Sequence, residues 1–202
     1  MSAEPGEVAT REGDYTVAQG HYAECLAIAR QVGDTEELAL ALESLGIVAM
    51  NLGDRGQAKT YFQESFNLFR ALGNKTGQAI CLYYFGYLAH FEGDNQQAKS
   101  FFEQELALAR TVGPIWLGAQ ALSGLAGVAA AGEQARRAAR LLGAADARAE
   151  AGATYTDAAD SLYEGRTMAS AIAQLGEAAF ADAQAEGRAM TFEQAVDYAL
   201  EE

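Results

Sequence analysis

Proline and cysteine are each present only twice in 202 residues, so the chain has few helix breakers and no means of building a disulfide framework. Cys25 and Cys81 form no Cys-x-x-Cys spacing, which removes the usual redox and zinc patterns and points to a reducing, cytoplasmic setting. Long apolar runs are missing as well. No stretch approaches the ~18 to 20 consecutive apolar residues that cross a bilayer, which argues against a membrane-spanning chain. The opening residues MSAEPGEVATRE have neither a basic start nor an apolar core, so no secretory signal is visible, and the sequon Asn74-Lys75-Thr76 is read as chance. Cations are scarce: 14 Lys and Arg stand against 28 Asp and Glu, for a formal charge of -14. Such a balance repels phosphates and argues against binding of nucleic acid or anionic lipid by this chain.

Groups that carry chemistry are thin too. His21 and His90 are the only histidines and show no metal-ligand spacing, and no G-x-S-x-G elbow or G-x-x-x-x-G-K-[ST] loop occurs. Cys25 follows His21 by four residues and would share its helix face, but it stands in an interior column with Ser65 and Ala145, where a thiol is a small hydrophobe. Carboxylates such as Glu36, Glu37, Glu103 and Glu105 suit helix starts and exposed faces. No catalytic residue, metal or cofactor is expected.

What is abundant is repetition. Gly13-Asp14, Gly53-Asp54 and Gly93-Asp94 lie 40 residues apart, with Gly132-Glu133 following one residue early. A second series, Gly33-Asp34, Gly73-Asn74 and Gly113-Pro114, has the same spacing. Between these points apolar residues recur at three and four, as in Leu38, Leu42, Leu45 and Val48, so each unit reads as helix, turn, helix. Arg30, Arg70 and Arg110 precede the second glycines, where a cation suits the helix C-terminus. Superposed, the units form columns: Gly46 and Gly86 with Ala126; Ala18, Ala58, Ala98 and Ala138; Tyr22, Phe62, Phe102 and Leu142.

The Leu45-Gly46 and Phe85-Gly86 pairs, the alanine opening each second helix and the aromatic four residues later resemble the tetratricopeptide repeat, in a variant longer than the usual ~34 residues. Leu42, Leu82 and Leu122 replace the family's tryptophan, and its proline after the second helix is absent. The resemblance implies an all-α, right-handed solenoid of antiparallel helices. Expected boundaries are an irregular or disordered lead over 1–12, and an array over 13–150 that begins as a half-repeat and continues with units at about 35–72, 75–112 and 115–150. Capping helices follow over 151–202. In the cap, Thr156-Asp157 starts a helix to about Leu175, Gly176 ends it, another runs to about Glu186 before Gly187, and Thr191 with Gln194 forms a capping box. Its buried face is expected from Leu162, Met168, Ile172, Leu175, Phe180, Val196 and Leu200. An array starting in mid-unit leaves an apolar end around Val17, Tyr22 and Leu26, which implies a fragment of a longer protein or a homodimer through that end.

A second resemblance rests on the runs Ala138–Ala145, Gly176–Phe180 and Glu186–Ala195, which look like the C-terminal end of large multidomain bacterial regulators. Those proteins join a nucleotide switch and a tetratricopeptide sensor to a LuxR-type DNA-binding domain, a cyclase or a kinase. The resemblance implies a setting and gives this chain none of those activities.

In tetratricopeptide arrays the first helices line a concave groove. Here Tyr83, Tyr87 and His90 share one helix face, with Tyr84 and Phe91 on its flank. The matching residues are Glu43, Ile47 and Met50 in the preceding unit and Ser123, Gly127 and Ala130 in the following one, so the groove is aromatic in the middle and bare on one side. Glu43, Ile47, Met50, Tyr83, Tyr84, Tyr87, His90 and Trp116 are the candidate groove residues. Without the lysines and arginines that clamp a C-terminal carboxylate, the expected function is a non-enzymatic protein-interaction or sensor scaffold in bacterial signalling. A small-molecule receptor and a stand-alone peptide adaptor are the alternatives. The competing reading is that the tyrosines fill the superhelix interior or pack under the C-terminal cap.

Overall fold

The structure, a computed structural model, describes residues 4–111, 115–151 and 158–201. Among the described residues the backbone forms eleven helices and no strand: α1 (Glu4–Glu12), α2 (Tyr15–Val32), α3 (Thr35–Asn51), α4 (Arg55–Leu72), α5 (Lys75–Phe91), α6 (Asn95–Thr111), α7 (Ile115–Ala131), α8 (Ala135–Glu150), α9 (Ala158–Leu175), α10 (Glu177–Arg188) and α11 (Phe192–Leu200). The expected turn at Gly113-Pro114 and the expected cap at Thr156-Asp157 lie outside the described residues.

The glycine-acid pairs do two jobs at each turn. Gly13, Gly33, Gly53, Gly73 and Gly93 take φ between 70° and 85°, a region open to glycine at little cost. The next residue caps the following helix: Asp14, Asp34, Asp54 and Asp94 accept the amides of Val17, Glu37, Gln57 and Gln97 at 2.9 to 3.1 Å, and Asn74 accepts that of Gly77 at 2.9 Å. Forty residues after Gly93 the same left-handed position falls on Glu133, with φ 59°, and Gln134 provides no side-chain cap for α8.

The chain divides into two compact units, Met1–Cys81 and Leu82–Glu202. In the first, α1 packs on α2, α2 on α3 and α3 on α4. Aromatic rings fit into glycine sockets. A Cβ on Gly46 would lie 2.6 Å from Phe62 Cε1, and one on Gly6 would lie 2.8 Å from Tyr22 Cε1, both too close for contact. Phe69 covers Gly77 in the same manner, and Ser65 Oγ donates to the Ala39 carbonyl at 2.8 Å. Burying a ring such as Phe62 contributes roughly 2 to 3 kcal/mol.

Two expectations change here. Residues 4–12 are helical, where an irregular lead was expected, because Gly6 and Ala9 give an otherwise polar segment a narrow buried face. Gly6 lies 40 residues before Gly46 and continues its column. Tyr22 and Leu26, expected on an open apolar end, are buried, Tyr22 against Gly6 and Thr10 of α1, while Val17 stays exposed.

In the second unit α6 packs on α7 and α7 on α8, with Phe102 seated against Gly86 and Gly124. Helix α10, not α9, makes the close approach to α8. A Cβ on Gly143 would strike the Gln184 carbonyl, and one on Gly187 the Arg140 carbonyl, so the two backbones cross through paired glycines. That is why Gly187 lies inside α10 and does not end a helix at Glu186 as expected. Glu186 holds both Arg136 and Arg140, and Arg188 pairs with Glu150 at 2.6 Å. The capping box of α11 forms, with Thr191 N–H donating to Gln194 Oε1 at 2.9 Å and Gln194 N–H to Thr191 Oγ1 at 3.3 Å. Phe192 lies under the Arg148 guanidinium, 3.8 Å from ring centroid to Cζ. Phe180 and Val196 are buried as expected, whereas Leu162, Met168 and Leu200 are exposed. Helix α9 instead turns Tyr163, Thr167 and Ala171 inward.

Candidate functional site on the inner helix faces

In the first unit the predicted groove residues lie on α3. Ile47 is half-buried and Met50 buried, while Glu43 keeps some exposure as a residue but has its Oε2 sealed from solvent without a hydrogen bond. Burial pushes the Glu43 carboxyl up to about 8, so it is largely protonated at neutral pH. The neighbouring Cys81 is fully buried; burial first, and Glu43 second, raise its thiol far above the ordinary range, against a weak contact to Ser65 Oγ at 3.7 Å. A thiol held protonated is a poor nucleophile, and Cys25 is buried too. Among the described residues no group of three or more His, Cys, Asp or Glu could hold a metal, and no helix is long and apolar enough to cross a membrane.

In the second unit the tyrosine column is interior. Tyr83 is 2 % exposed, Tyr84 5 % and Tyr87 4 %, so none presents an open ring to solvent. Tyr83 meets Tyr84 edge-on with centroids 5.2 Å apart and lies 6.0 Å from Phe102; Tyr87 stacks on Phe91 at 4.8 Å. His90, one turn on, stays half-buried. Burial lowers its pKa and the Asn95 side chain opposes that shift, leaving a neutral imidazole at pH 7.

The bare side of this face is where α9 lies. Ser123, Gly127 and Ala130 of α7 are the small counterparts of Tyr83, Tyr87 and His90, and each meets a residue of α9. Ser123 Oγ donates to Glu164 Oε1 at 3.0 Å; a Cβ on Gly127 would overlap the Tyr163 hydroxyl; the Ala130 carbonyl accepts from Gln174 Nε2 at 3.1 Å. Tyr163 is the anchor. Its hydroxyl donates to the Gly124 carbonyl at 3.2 Å, and its ring lies 5.1 Å from Tyr87 and 5.4 Å, edge-on, from His90. Burial drives its phenol well above the usual range, and Glu164 is likewise raised by burial, partly offset by Ser123.

Beside Tyr163 an open cleft of about 270 Å³ remains, lined by His90, Phe91, Ala130, Arg166, Thr167 and Ser170 among others. The Arg166 guanidinium stands 5.8 Å from the Phe91 ring centroid at its exposed rim. Of the predicted residues, Tyr83, Tyr84, Tyr87 and His90 are thus brought together, while Trp116 sits half-buried at the start of α7 and does not line the cleft. Tyr163, Glu164, Arg166, Thr167 and Gln174 were not foreseen from sequence. The signal for them was the small column Ser123, Gly127 and Ala130, which leaves room for another helix.

Comparison with curated proteins matches none of them to the chain. The family model of the tetratricopeptide repeat matches residues 37–111, which span α4 to α6 and most of α3, and protein-interaction scaffolding is the class of function that this match supports.

Proposed function

We propose that the chain is a non-enzymatic protein-interaction module that holds a helical segment of another protein on the face formed by residues 82–91 of α5 and by α7. One observation carries this reading: that face already seats a helix, α9, through a buried tyrosine, three side-chain hydrogen bonds and a glycine with no room for a side chain. A surface that accommodates one amphipathic helix has the shape and polar partners to accept another. The repeat match over residues 37–111 supports the scaffold class. For its setting we infer a sensor or adaptor part of a bacterial signalling or transcriptional regulator, on the likeness of the runs Ala138–Ala145, Gly176–Phe180 and Glu186–Ala195 to the C-terminal ends of such proteins.

The test is to pan a displayed library of helical peptides against the chain and measure the selected peptides by calorimetry. Peptides that bind at micromolar affinity or better and protect α5 and α7 amides from exchange support the reading. Failure to select any peptide, or protection confined to other helices, defeats it. The open cleft beside His90 favours a second reading, a small-molecule receptor, though its volume falls just below the ~300 to 1,000 Å³ typical of ligand sites. A metabolite that raises the melting temperature, with no peptide selected, favours that alternative.

A further inference from the structure

Two helices of the second unit pack on α8 after it in sequence, and the later one, α10, makes the tighter approach. Helix α10 crosses α8 backbone to backbone through Gly143 and Gly187 and is fastened by Glu186 to Arg136 and Arg140 and by Arg188 to Glu150. Helix α9, which comes between them in sequence, packs on α7 and α8 and touches α10, and its Tyr163 side enters the α5 and α7 face. Its hold there is narrow. Among residues 162–175 only Tyr163, Thr167 and Ala171 are buried, a single stripe at every fourth position, and two of the three are small. Of its other larger apolar side chains Ile172 and Leu175 are half-buried, while Leu162 is 54 % exposed and Met168 38 %. An open cleft persists alongside Tyr163. An element that buries one large side chain fully and leaves Leu162 and Met168 in solvent belongs to the low end of local stability.

We infer that α9 is a displaceable internal occupant of this face, and that the partner is an amphipathic helix repeating α9's contacts. Such a helix carries a tyrosine to enter over Gly127 and reach the Gly124 carbonyl, a carboxylate next to it for Ser123, small residues four and eight positions on, and a glutamine eleven positions on for the Ala130 carbonyl. The inference rests on the scaffold reading above and names the chemistry that reading leaves open. Seated α9 and bound partner exclude one another, so the partner's apparent affinity is reduced by the fraction of chains in which α9 is seated.

The experiment uses the full chain and a labelled synthetic peptide with the sequence of residues 158–175. In the Tyr163→Ala chain the resident helix loses its anchor, and the peptide binds at least ten-fold more tightly than to the unsubstituted chain. Replacing the tyrosine of the peptide by alanine abolishes binding. Gly127→Ala added to Tyr163→Ala fills the seat without striking the resident helix, and it also abolishes binding while the melting curve stays cooperative. Equal peptide affinity for the two chains, or binding that survives Gly127→Ala, overturns the inference. If the Tyr163→Ala chain melts without cooperativity, Glu164→Ala with Gln174→Ala loosens α9 by removing hydrogen bonds only, and the same ten-fold gain is required of it. Display-selected peptides that bind without competing with the 158–175 peptide sink this inference and leave the scaffold reading standing; no selected peptides at all sink that reading itself.

Discussion

At Glu133 a side chain occupies a backbone conformation that glycine holds at Gly13, Gly53 and Gly93. Left-handed geometry disfavours an L residue by roughly 1 to 2 kcal/mol, partly returned because glycine is more disordered when unfolded. Glu133→Gly is therefore expected to stabilise the protein by about 0.5 to 1 kcal/mol in urea unfolding. Gly46→Ala works the other way, pressing a methyl against the Phe62 ring, and overpacking of this kind costs about 1 to 3 kcal/mol. Pairing it with Phe62→Leu should cost less than the sum of the two single changes, since the smaller side chain vacates the socket. Glu43 gives a pH signature. Its pKa in the folded chain is raised to about 8 from an ordinary 4.5, so the folded state binds the proton more tightly than the unfolded one. Its contribution is full below pH 4.5 and is lost as pH rises through 8; Glu43→Gln should flatten that part of the stability profile, read from melting temperatures between pH 5 and 9.

Among the elements, the joint between α8 and α10 is the least forgiving. Gly143→Ala or Gly187→Ala sets a methyl against a carbonyl of the facing backbone, which cannot swing aside as a side chain can. Either change should destabilise by about 3 kcal/mol or more and strip exchange protection from α10 before α7. How far the elements could be read in advance follows from what the repeat encodes. The units over 35–72 and 75–112 each carry their own left-handed glycine, capping acid, glycine socket and ring, so the pairing of α3 with α4 was legible in local chemistry. Helix α1 was hidden because a polar segment needs only Gly6 and Ala9 to meet Tyr22, and two small residues make a faint pattern. In α9 hydrophobicity pointed inward with Leu162, Met168, Ile172 and Leu175; the place over Gly127, a tertiary fact, brings in Tyr163, Thr167 and Ala171 instead, with Ile172 and Leu175 half-buried and Leu162 and Met168 exposed. Helical spacing sets Tyr83 and Tyr87 on one face with Tyr84 on its flank, but their burial depends on neighbours that spacing does not contain.

For the molecule as a whole, the charge of -14 sets the terms of encounter. A helical partner bearing lysines on the side away from the seat should associate faster than a neutral one, because the long-range field steers approach, whereas the docked contacts are short-ranged. Stopped-flow association of such a peptide with the Tyr163→Ala chain should slow by about ten-fold between 0.05 and 0.5 M salt, with the dissociation rate changing far less. A rate insensitive to salt would mean that the acidic surface lies too far from the seat to be felt.

The column of Gly6, Gly46 and Gly86, each beneath its ring of Tyr22, Phe62 or Phe102, bears also on how such a chain can grow. A tandem copy of residues 34–73 would bring its own capping acid, its own socket at the glycine, its own phenylalanine to fill it and its own closing glycine. Nothing in the copied segment would need compensating change elsewhere for these contacts to form. Length is thus a quantity that duplication can alter in steps of one module, whereas the single-copy pairing of Tyr163 with Gly127 cannot be copied without a new seat and so marks the place where lengthening stops.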